Sequence, residues 1–168
     1  MGRRKPLEVA GQPPWQDGSG RVPLARLFAM ALRTLIDDLH VRLAASGFED
    51  ARPAFGFVLL SARNTQVTAK EIAELNGTSK QAATKLLALM EASDYLKRVP
   101  SASDARERPF ELTTRGRKLL SRVEAIYRDL EAEWARAIGT AGVEDLRSGL
   151  MQALDVRYDG NLPPLRPT

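Results

Sequence analysis

The sequence predicts a mainly α fold that carries one small β ribbon. Two helix-start signals, Thr68-Ala-Lys-Glu71 and Thr78-Ser-Lys-Gln81, lie close together, and both fit the capping pattern S/T-x-x-E/Q. Asn76-Gly77 lies between them and tolerates the left-handed backbone that ends a helix. Two short apolar runs with a basic stretch between them follow the second helix. This order predicts a winged helix-turn-helix fold, which we expect to be flanked by N- and C-terminal dimerisation helices.

The segments before this module are predicted to be helical. Residues 21–45 carry apolar side chains at helical spacing, and Gly47 ends that helix. Pro53 then opens a short apolar helix over residues 54–62, which we expect to be buried throughout. Gln66-Val67 is expected to form a short strand against the wing.

The second helix of the module divides into two faces. One face is apolar at helical spacing and is predicted to be buried: Ala82, Ala83, Leu86, Leu87 and Met90. The other is polar, lies near the helix N-terminus and is predicted to contact DNA: Ser79, Lys80, Gln81, Thr84 and Lys85. Hydroxyls and amides pair with base edges or phosphate in the major groove, and lysines neutralise phosphate. The alternative interpretation is an ordinary solvated helix face.

The predicted wing consists of strands at residues 95–99 and 110–113. Asp94 is expected to take a left-handed conformation at the end of the helix before it. Arg106 at the tip is predicted to reach the minor groove, where a narrow groove attracts arginine. Asp104 is assigned a structural role, because a carboxylate beside an arginine orients it. Two further arginines, Arg98 and Arg108, are predicted to hold phosphate or brace the wing; the alternative for the tip is a solvated loop.

The C-terminal part is predicted to form a long helix over residues 114–138, a break at 139–142 and a last helix at 143–156. The apolar surface of these helices and of the first helix exceeds what the compact module can cover. We therefore expect them to interlock with the same helices of a second copy in a homodimer.

The positive charge is concentrated in the module. The whole chain has a net charge of +4. Residues 78–118 hold nine Lys or Arg against five Asp or Glu, which accounts for all of that excess. The predicted binding surface therefore carries the positive field of the chain.

These features define the expected domain organisation. Residues 1–20 lack periodicity and are predicted to be a flexible arm. Residues 21–158 form a single winged-helix regulator domain, and 159–168 are a frayed tail. Within the domain, the DNA-binding module spans residues 53–116, and the dimerisation helices span 21–46 and 117–158.

Several classes of protein and site are not predicted. The chain has no cysteine, and we expect no disulfide, thiolate metal site or cofactor. No apolar run is long enough to cross a membrane and no secretory signal is apparent, so a cytoplasmic location is expected. His40, the one histidine, lies near Asp37 and Asp38 in directions unsuited to a metal, and no motif indicates an enzyme.

The motifs resemble those of the MarR family of bacterial transcription regulators. Asp104-Ala-Arg106-Glu-Arg108 in the wing is followed by Leu112-Thr-x-x-Gly116, and the resemblance covers about residues 21–156. The chain departs from the family pattern at Asp94, where glycine is usual, and at Pro100-Ser-Ala-Ser-Asp104, which replaces a more proline-rich turn.

The resemblance implies a sequence-specific, duplex-DNA-binding transcriptional regulator, and in particular a ligand-responsive repressor. It implies a homodimer that reads a pseudo-palindromic operator. It also implies a small-molecule effector, often an aromatic anion, bound between the dimerisation helices and the module. Five side chains could line such a crevice, but they are better explained as core, and no effector site is assigned: Phe28, Leu32, Phe55, Leu59 and Tyr127.

Two other functions remain open at this point. A sequence-tolerant architectural DNA-binding protein would have the same fold and charge but no operator. A winged helix used as a protein-interaction module would show an apolar or acidic recognition face, which this sequence lacks.

Overall fold

The computed structural model describes residues 15–100 and 108–158. Within these ranges the elements are α1 (Leu24–Ala44), α2 (Phe55–Ser61), α3 (Ala69–Asn76), α4 (Lys80–Ala92), β1 (Leu96–Arg98), β2 (Phe110–Leu112) and α5 (Thr114–Tyr158). The predicted fold class, mainly α with a small β wing, is confirmed. None of the described helices combines the length and the apolar character needed to cross a membrane.

The described residues fall into two compact units, divided between Asp38 and Leu39 inside α1. In the first unit, the Asp17 side chain accepts hydrogen bonds from the Ser19 and Arg21 amides at 2.9 and 3.1 Å and so closes a turn. The first part of α1 exposes its apolar side chains to solvent; Leu24, Leu27, Phe28, Met30 and Leu32 are all exposed. The predicted domain and module boundaries remain predictions.

The helix-turn-helix forms through local capping. Thr68 and Glu71 make the predicted capping box, with the Thr68 amide donating to Glu71 Oε2 at 2.7 Å. Gly77 ends α3 in the left-handed conformation, with a φ of 61°. The prediction that Thr78 caps α4 is wrong, because Ser79 is the N-cap and its Oγ accepts from the Ala82 amide at 3.1 Å. Helix α4 therefore begins one residue later, where Ser79 is an equally good cap.

The buried stripe of α4 is narrower than predicted. Ala83, Leu87 and Met90 are buried and Leu86 is half-buried, but Ala82 is exposed. The buried positions recur at intervals of four and three residues. Ala82 lies one helical step, about 100°, from Ala83, and so falls outside the stripe.

The short helix α2 is buried on one side only. Phe55, Val58 and Leu59 are almost completely buried, whereas Leu60 is 46% exposed. The prediction that this helix is buried throughout is therefore wrong. An apolar run in a short helix places some residues on each side, and only the side facing α3 and α5 is covered here.

The wing is a two-stranded antiparallel ribbon in which Leu96 pairs with Leu112 and Arg98 with Phe110. The predicted strand at Val67 is confirmed as a β-bridge to Phe110. The two residues exchange backbone hydrogen bonds with N···O distances of 2.9 and 2.8 Å. This bridge joins the start of the helix-turn-helix to the returning strand.

A tight corner joins α4, the wing and α5. Asp94 has a φ of 58°, which confirms the predicted left-handed conformation. The Tyr95 amide donates to the Met90 carbonyl at 2.8 Å, and the Tyr95 carbonyl accepts from the Thr113 amide at 3.1 Å. Thr113 also caps α5, since its Oγ1 accepts from the Gly116 amide at 2.9 Å and donates to the Asp94 carbonyl. These bonds account for the spacing of threonine and glycine in the Leu-Thr-x-x-Gly motif.

Helix α5 bends at Gly139, whose φ of 80° and ψ of 155° are not helical. The predicted break is confirmed at that residue, but the prediction that it extends to Gly142 is wrong. Because one glycine absorbs the whole change of direction, the helix resumes at once. Arg147 bridges the bend, 2.8 Å from Glu131 Oε2 and 3.2 Å from Glu144 Oε2.

Replacing Gly116 by alanine is expected to destabilise the fold. A Cβ atom there would lie 2.1 Å from the Tyr95 carbonyl oxygen, a backbone atom that the corner holds in place. We expect the free energy of unfolding, measured by urea titration, to fall by roughly 1–3 kcal/mol or more.

Gly149→Ala is the matched control on the same helix. A Cβ there meets nothing within 4 Å. Alanine should therefore raise the unfolding free energy by about 0.5–1 kcal/mol through its helix propensity. Equal effects of the two substitutions would contradict the assigned contact.

Candidate nucleic-acid interface

The polar side chains predicted to contact DNA all lie exposed at the start of α4: Ser79, Lys80, Gln81, Thr84 and Lys85. Two of their hydroxyls already make local bonds. Ser79 Oγ accepts from the Ala82 amide, and Thr84 Oγ1 donates to the Lys80 carbonyl at 2.8 Å. Ser79 therefore keeps its donor and Thr84 its acceptor lone pairs for a partner.

A concavity of about 270 Å³ lies between the helix-turn-helix and the wing. It is lined by Thr68, Ala69, Lys70, Lys80, Thr84, Arg98, Arg108 and Phe110. Four cationic side chains from both helices and both sides of the wing thus converge on one surface. Among the described residues no carboxylate lines it. Such a surface suits phosphate, which lysine and arginine neutralise.

Lys70 is a residue of this surface that the sequence analysis missed. It is the second residue of α3 and is exposed. The signal that could have found it is its position inside the Thr68–Glu71 capping box, which places it beside a helix N-terminus at the module surface. The positive end of a helix and a lysine both favour an anion there.

Arg98 is braced within the wing. Its Nε lies 3.1 Å from Glu91 Oε2, and its guanidinium carbon lies 4.8 Å from the centre of the Phe110 ring. The neighbouring pair Lys97–Glu111, at 2.9 Å, ties the two strands together. Of the two roles predicted for Arg98, this geometry favours bracing.

The structure brings together only part of the predicted site. Lys80, Thr84, Arg98 and Arg108 meet at the concavity, whereas Ser79, Gln81 and Lys85 lie outside it on the exposed face of α4. Asp104 and Arg106 lie outside the described residues.

A second group of interacting side chains lies beneath the corner at Tyr95. The Tyr95 side chain is completely buried, and its hydroxyl donates a hydrogen bond to Asp50 in the loop between α1 and α2. Arg115 Nη2 lies 3.2 Å from both the Tyr95 hydroxyl and Asp50 Oδ1. The guanidinium also lies 5.0 Å from the centre of the Tyr95 ring and 5.6 Å from that of Phe48. We call Asp50, Tyr95 and Arg115 the corner triad.

The corner triad shifts the acidity of its members. Burial, and then the bond donated to Asp50, raises the pKa of the Tyr95 phenol to about 12. For Asp50, burial opposes ionisation, but the hydrogen bond from Tyr95 and further hydrogen bonds outweigh it and lower its pKa. The bond to Tyr95 raises the pKa of Arg115. The triad is therefore a neutral phenol held between a carboxylate and a guanidinium.

A larger but shallower concavity, of about 490 Å³, lies on α5. Its lining comprises Thr114, Arg117, Lys118, Ser121, Arg122 and Ala125. These residues share one face of a single helix, so groups from different elements do not converge there. We therefore prefer the smaller concavity beside α4 as the candidate site.

The side chains considered for an effector crevice differ in exposure. Phe55 and Leu59 are each 1% exposed and belong to the core, which favours the structural interpretation for them. Phe28, Leu32 and Tyr127 are exposed to solvent. Within residues 15–100 and 108–158, no group of three His, Asp or Glu side chains is arranged to hold a metal ion.

Comparison with known proteins bears on the fold. The sequence model of the MarR family matches residues 52–107. The reduced form of MarR from E. coli is similar with a TM-score of 0.68 and 24% identity, over 80% of this chain and 98% of that one. A mutant of the same protein, complexed with operator DNA, is similar with a TM-score of 0.63 and 24% identity, over 79% of this chain and 94% of that one.

A third similar structure is MepR, a transcription regulator of the Staphylococcus aureus multidrug efflux pump MepA. Its TM-score is 0.63 and its identity 19%, over 81% of this chain and 99% of that one. At these identities the likeness is one of fold. No curated protein matches the chain in sequence.

The Tyr95 phenol should make stability depend on pH at alkaline values. Its pKa is raised from 10.0 to about 12, so the folded state holds the proton more tightly than the unfolded state. This contribution to stability is complete below pH 10 and is lost as the pH rises to about 12.

The measurement compares the wild type with Tyr95→Phe. We expect the difference in their unfolding free energies, measured in urea, to shrink between pH 10 and pH 12, because phenylalanine has no proton to lose. A difference that stays constant across this range would contradict the buried, bonded phenol.

Proposed function

We propose that the chain is a MarR-like transcriptional regulator that binds duplex DNA sequence-specifically; the match of the MarR family model to residues 52–107 supports this proposal. The observation that carries this proposal is the cationic concavity between the helix-turn-helix and the wing. Lys70, Lys80, Arg98 and Arg108 converge there beside the exposed polar face of α4. This combination serves both requirements of DNA binding, since phosphate contacts position a protein and side chains on a helix read bases.

Each candidate residue then has a role. Helix α4 enters the major groove with Lys80, Gln81, Thr84 and Lys85, while Ser79 caps it and keeps a free donor. Arg106 reaches the minor groove and Asp104 orients an arginine of the wing tip. Arg98 braces the ribbon, and Arg108, which is exposed, holds phosphate.

The regulator acts as a homodimer. The second arm of α5, after Gly139, exposes Leu146, Met151 and Val156, the last at 80%. The first part of α1 separately exposes its own apolar side chains. Burial of such surface drives association, and a two-fold dimer presents two α4 helices to a pseudo-palindrome with half-sites about 10 bp apart.

We further propose that the protein is a repressor in the bacterial cytoplasm and that a small-molecule effector releases it from DNA. The support for this is the shared fold, since the similar MepR is by name the regulator of an efflux pump. A ligand that binds the free dimer more tightly than the DNA-bound dimer would weaken DNA binding by the ratio of those affinities.

The test is binding of the purified protein to DNA from its own upstream region. Fluorescence anisotropy is measured at two salt concentrations, with random duplex of equal length as competitor. We expect the affinity for the upstream duplex to exceed that for random duplex by a factor of about 10³ or more, the usual ratio for a sequence-specific DNA-binding protein. Equal and steeply salt-dependent binding to all duplexes would favour an architectural protein, and absence of binding would favour a protein-interaction module.

Lys70 should contact phosphate through the same surface. Lys70→Ala is expected to weaken binding to specific and random duplexes alike. It should also reduce the steepness of the plot of log binding constant against log salt concentration by about one. Lys118→Ala is the matched control, because it removes the same charge from the exposed face of α5, outside the concavity. Equal salt slopes in the two variants would exclude Lys70 from the interface.

A further inference from the structure

Three segments that are distant in sequence meet at the corner triad. Asp50 belongs to the loop between α1 and α2, Tyr95 directly follows the end of α4 and precedes β1, and Arg115 is the second residue of α5. The Tyr95 hydroxyl donates to Asp50, and Arg115 bonds to both. The loop is therefore tied to the point where the chain leaves α4 and enters the wing.

The backbone of Tyr95 links α4 to the start of α5, the helix that its side chain also contacts through Arg115. Its amide donates to Met90 in α4 at 2.8 Å, and its carbonyl accepts from Thr113 before α5 at 3.1 Å. The next residue, Leu96, begins β1. A rotation of Tyr95 would therefore turn the first strand of the wing relative to α4.

The ring of Tyr95 is held on several sides. Phe55 packs edge-on with ring centres 5.7 Å apart, and Phe48 is tilted at 6.4 Å. Apolar packing alone permits small rotations of a ring in its pocket. The hydroxyl bond to Asp50 is directional and sets the position of its far end. The carboxylate of Asp50 is in turn fixed by Arg115, which is itself packed over two rings.

We propose that Asp50 is a positioning residue for DNA recognition, whose carboxylate locks Tyr95 and so sets the angle between α4 and the wing. This inference rests on the proposed function. A DNA-binding protein that places a helix and a wing in different grooves must hold the two within about 10–20° of the productive arrangement. Non-specific binding follows the number of cations and is insensitive to that angle.

The inference therefore predicts a change in discrimination between duplexes. Asp50→Ala removes the acceptor for Tyr95 and the carboxylate partner of Arg115. We expect the ratio of specific to random affinity to fall by about 2- to 30-fold, the range for residues that act without touching the ligand. Asp50→Asn keeps an acceptor oxygen but loses the charge, and should give a smaller loss.

Glu124→Ala is the matched control. It removes the same charge from α5 and breaks the ion pair of Glu124 with Arg63, a residue that follows α2 and is not part of the corner triad. Both alanine variants raise the net charge by the same amount, so both should change the affinity for random duplex to the same extent. Only Asp50→Ala should lower the ratio of specific to random affinity.

The measurement separates positioning from stability. Binding is titrated well below the thermal midpoint of every variant, where each is folded, and the midpoints are recorded separately. A purely structural role would lower the midpoint and leave the ratio unchanged, which would overturn the inference. Tyr95→Phe removes the other end of the same bond, so its effect should not add to that of Asp50→Ala.

The failure of the inference is distinguishable from that of the proposed function. If the wild type shows no preference between duplexes, both the proposed function and the role of Asp50 are contradicted. If the wild type shows a preference that Asp50→Ala and Asp50→Asn retain in full, the regulator stands and Asp50 has no positioning role.

Discussion

The approach of Gly116 to the Tyr95 carbonyl is the constraint on which the rest of the module depends. A single oxygen accepts the Thr113 amide and leaves no room for a side chain at the start of α5. The left-handed backbone of Asp94 turns the chain out of α4 just before this point, and β1 begins just after it. One backbone position therefore fixes where α4 ends, where the wing starts and where α5 begins.

The cationic concavity is a consequence of this corner and of the bridge between Val67 and Phe110. The corner sets β1 against α4, and the bridge brings β2 to the start of α3. Lysines and arginines from distant positions are thereby gathered on one surface against their mutual repulsion. Among the described residues only Glu91 offsets Arg98 beside it. Like charges gathered on one surface cost stability, and proteins tolerate this mainly where an anionic partner binds.

Features set by local chemistry could be predicted from the sequence. The capping box at Thr68, the left-handed Gly77 and Asp94, and the bend at Gly139 each depend on a few neighbouring residues. The start of α4 was predicted one residue early because Thr78 and Ser79 are both suitable caps. Lys70 was missed because the wing residues that complete its surface lie far away in sequence. Asp50 was missed because no spacing rule connects the α1–α2 loop to a tyrosine 45 residues later.

Affinity and discrimination have separate physical sources in this architecture. In the proposed regulator, the concavity would attract any duplex, because phosphate charge is the same in every sequence. Discrimination requires that α4 and the wing engage their grooves together, which is a matter of angle. In our proposal, that angle is set where the buried Tyr95 phenol joins a loop, a strand and a helix through the Asp50 carboxylate and the Arg115 guanidinium. Since neither Asp50 nor Arg115 lines the cationic concavity, the proposed positioning role would let base discrimination be altered at this partly exposed ion pair while the concavity stays unchanged.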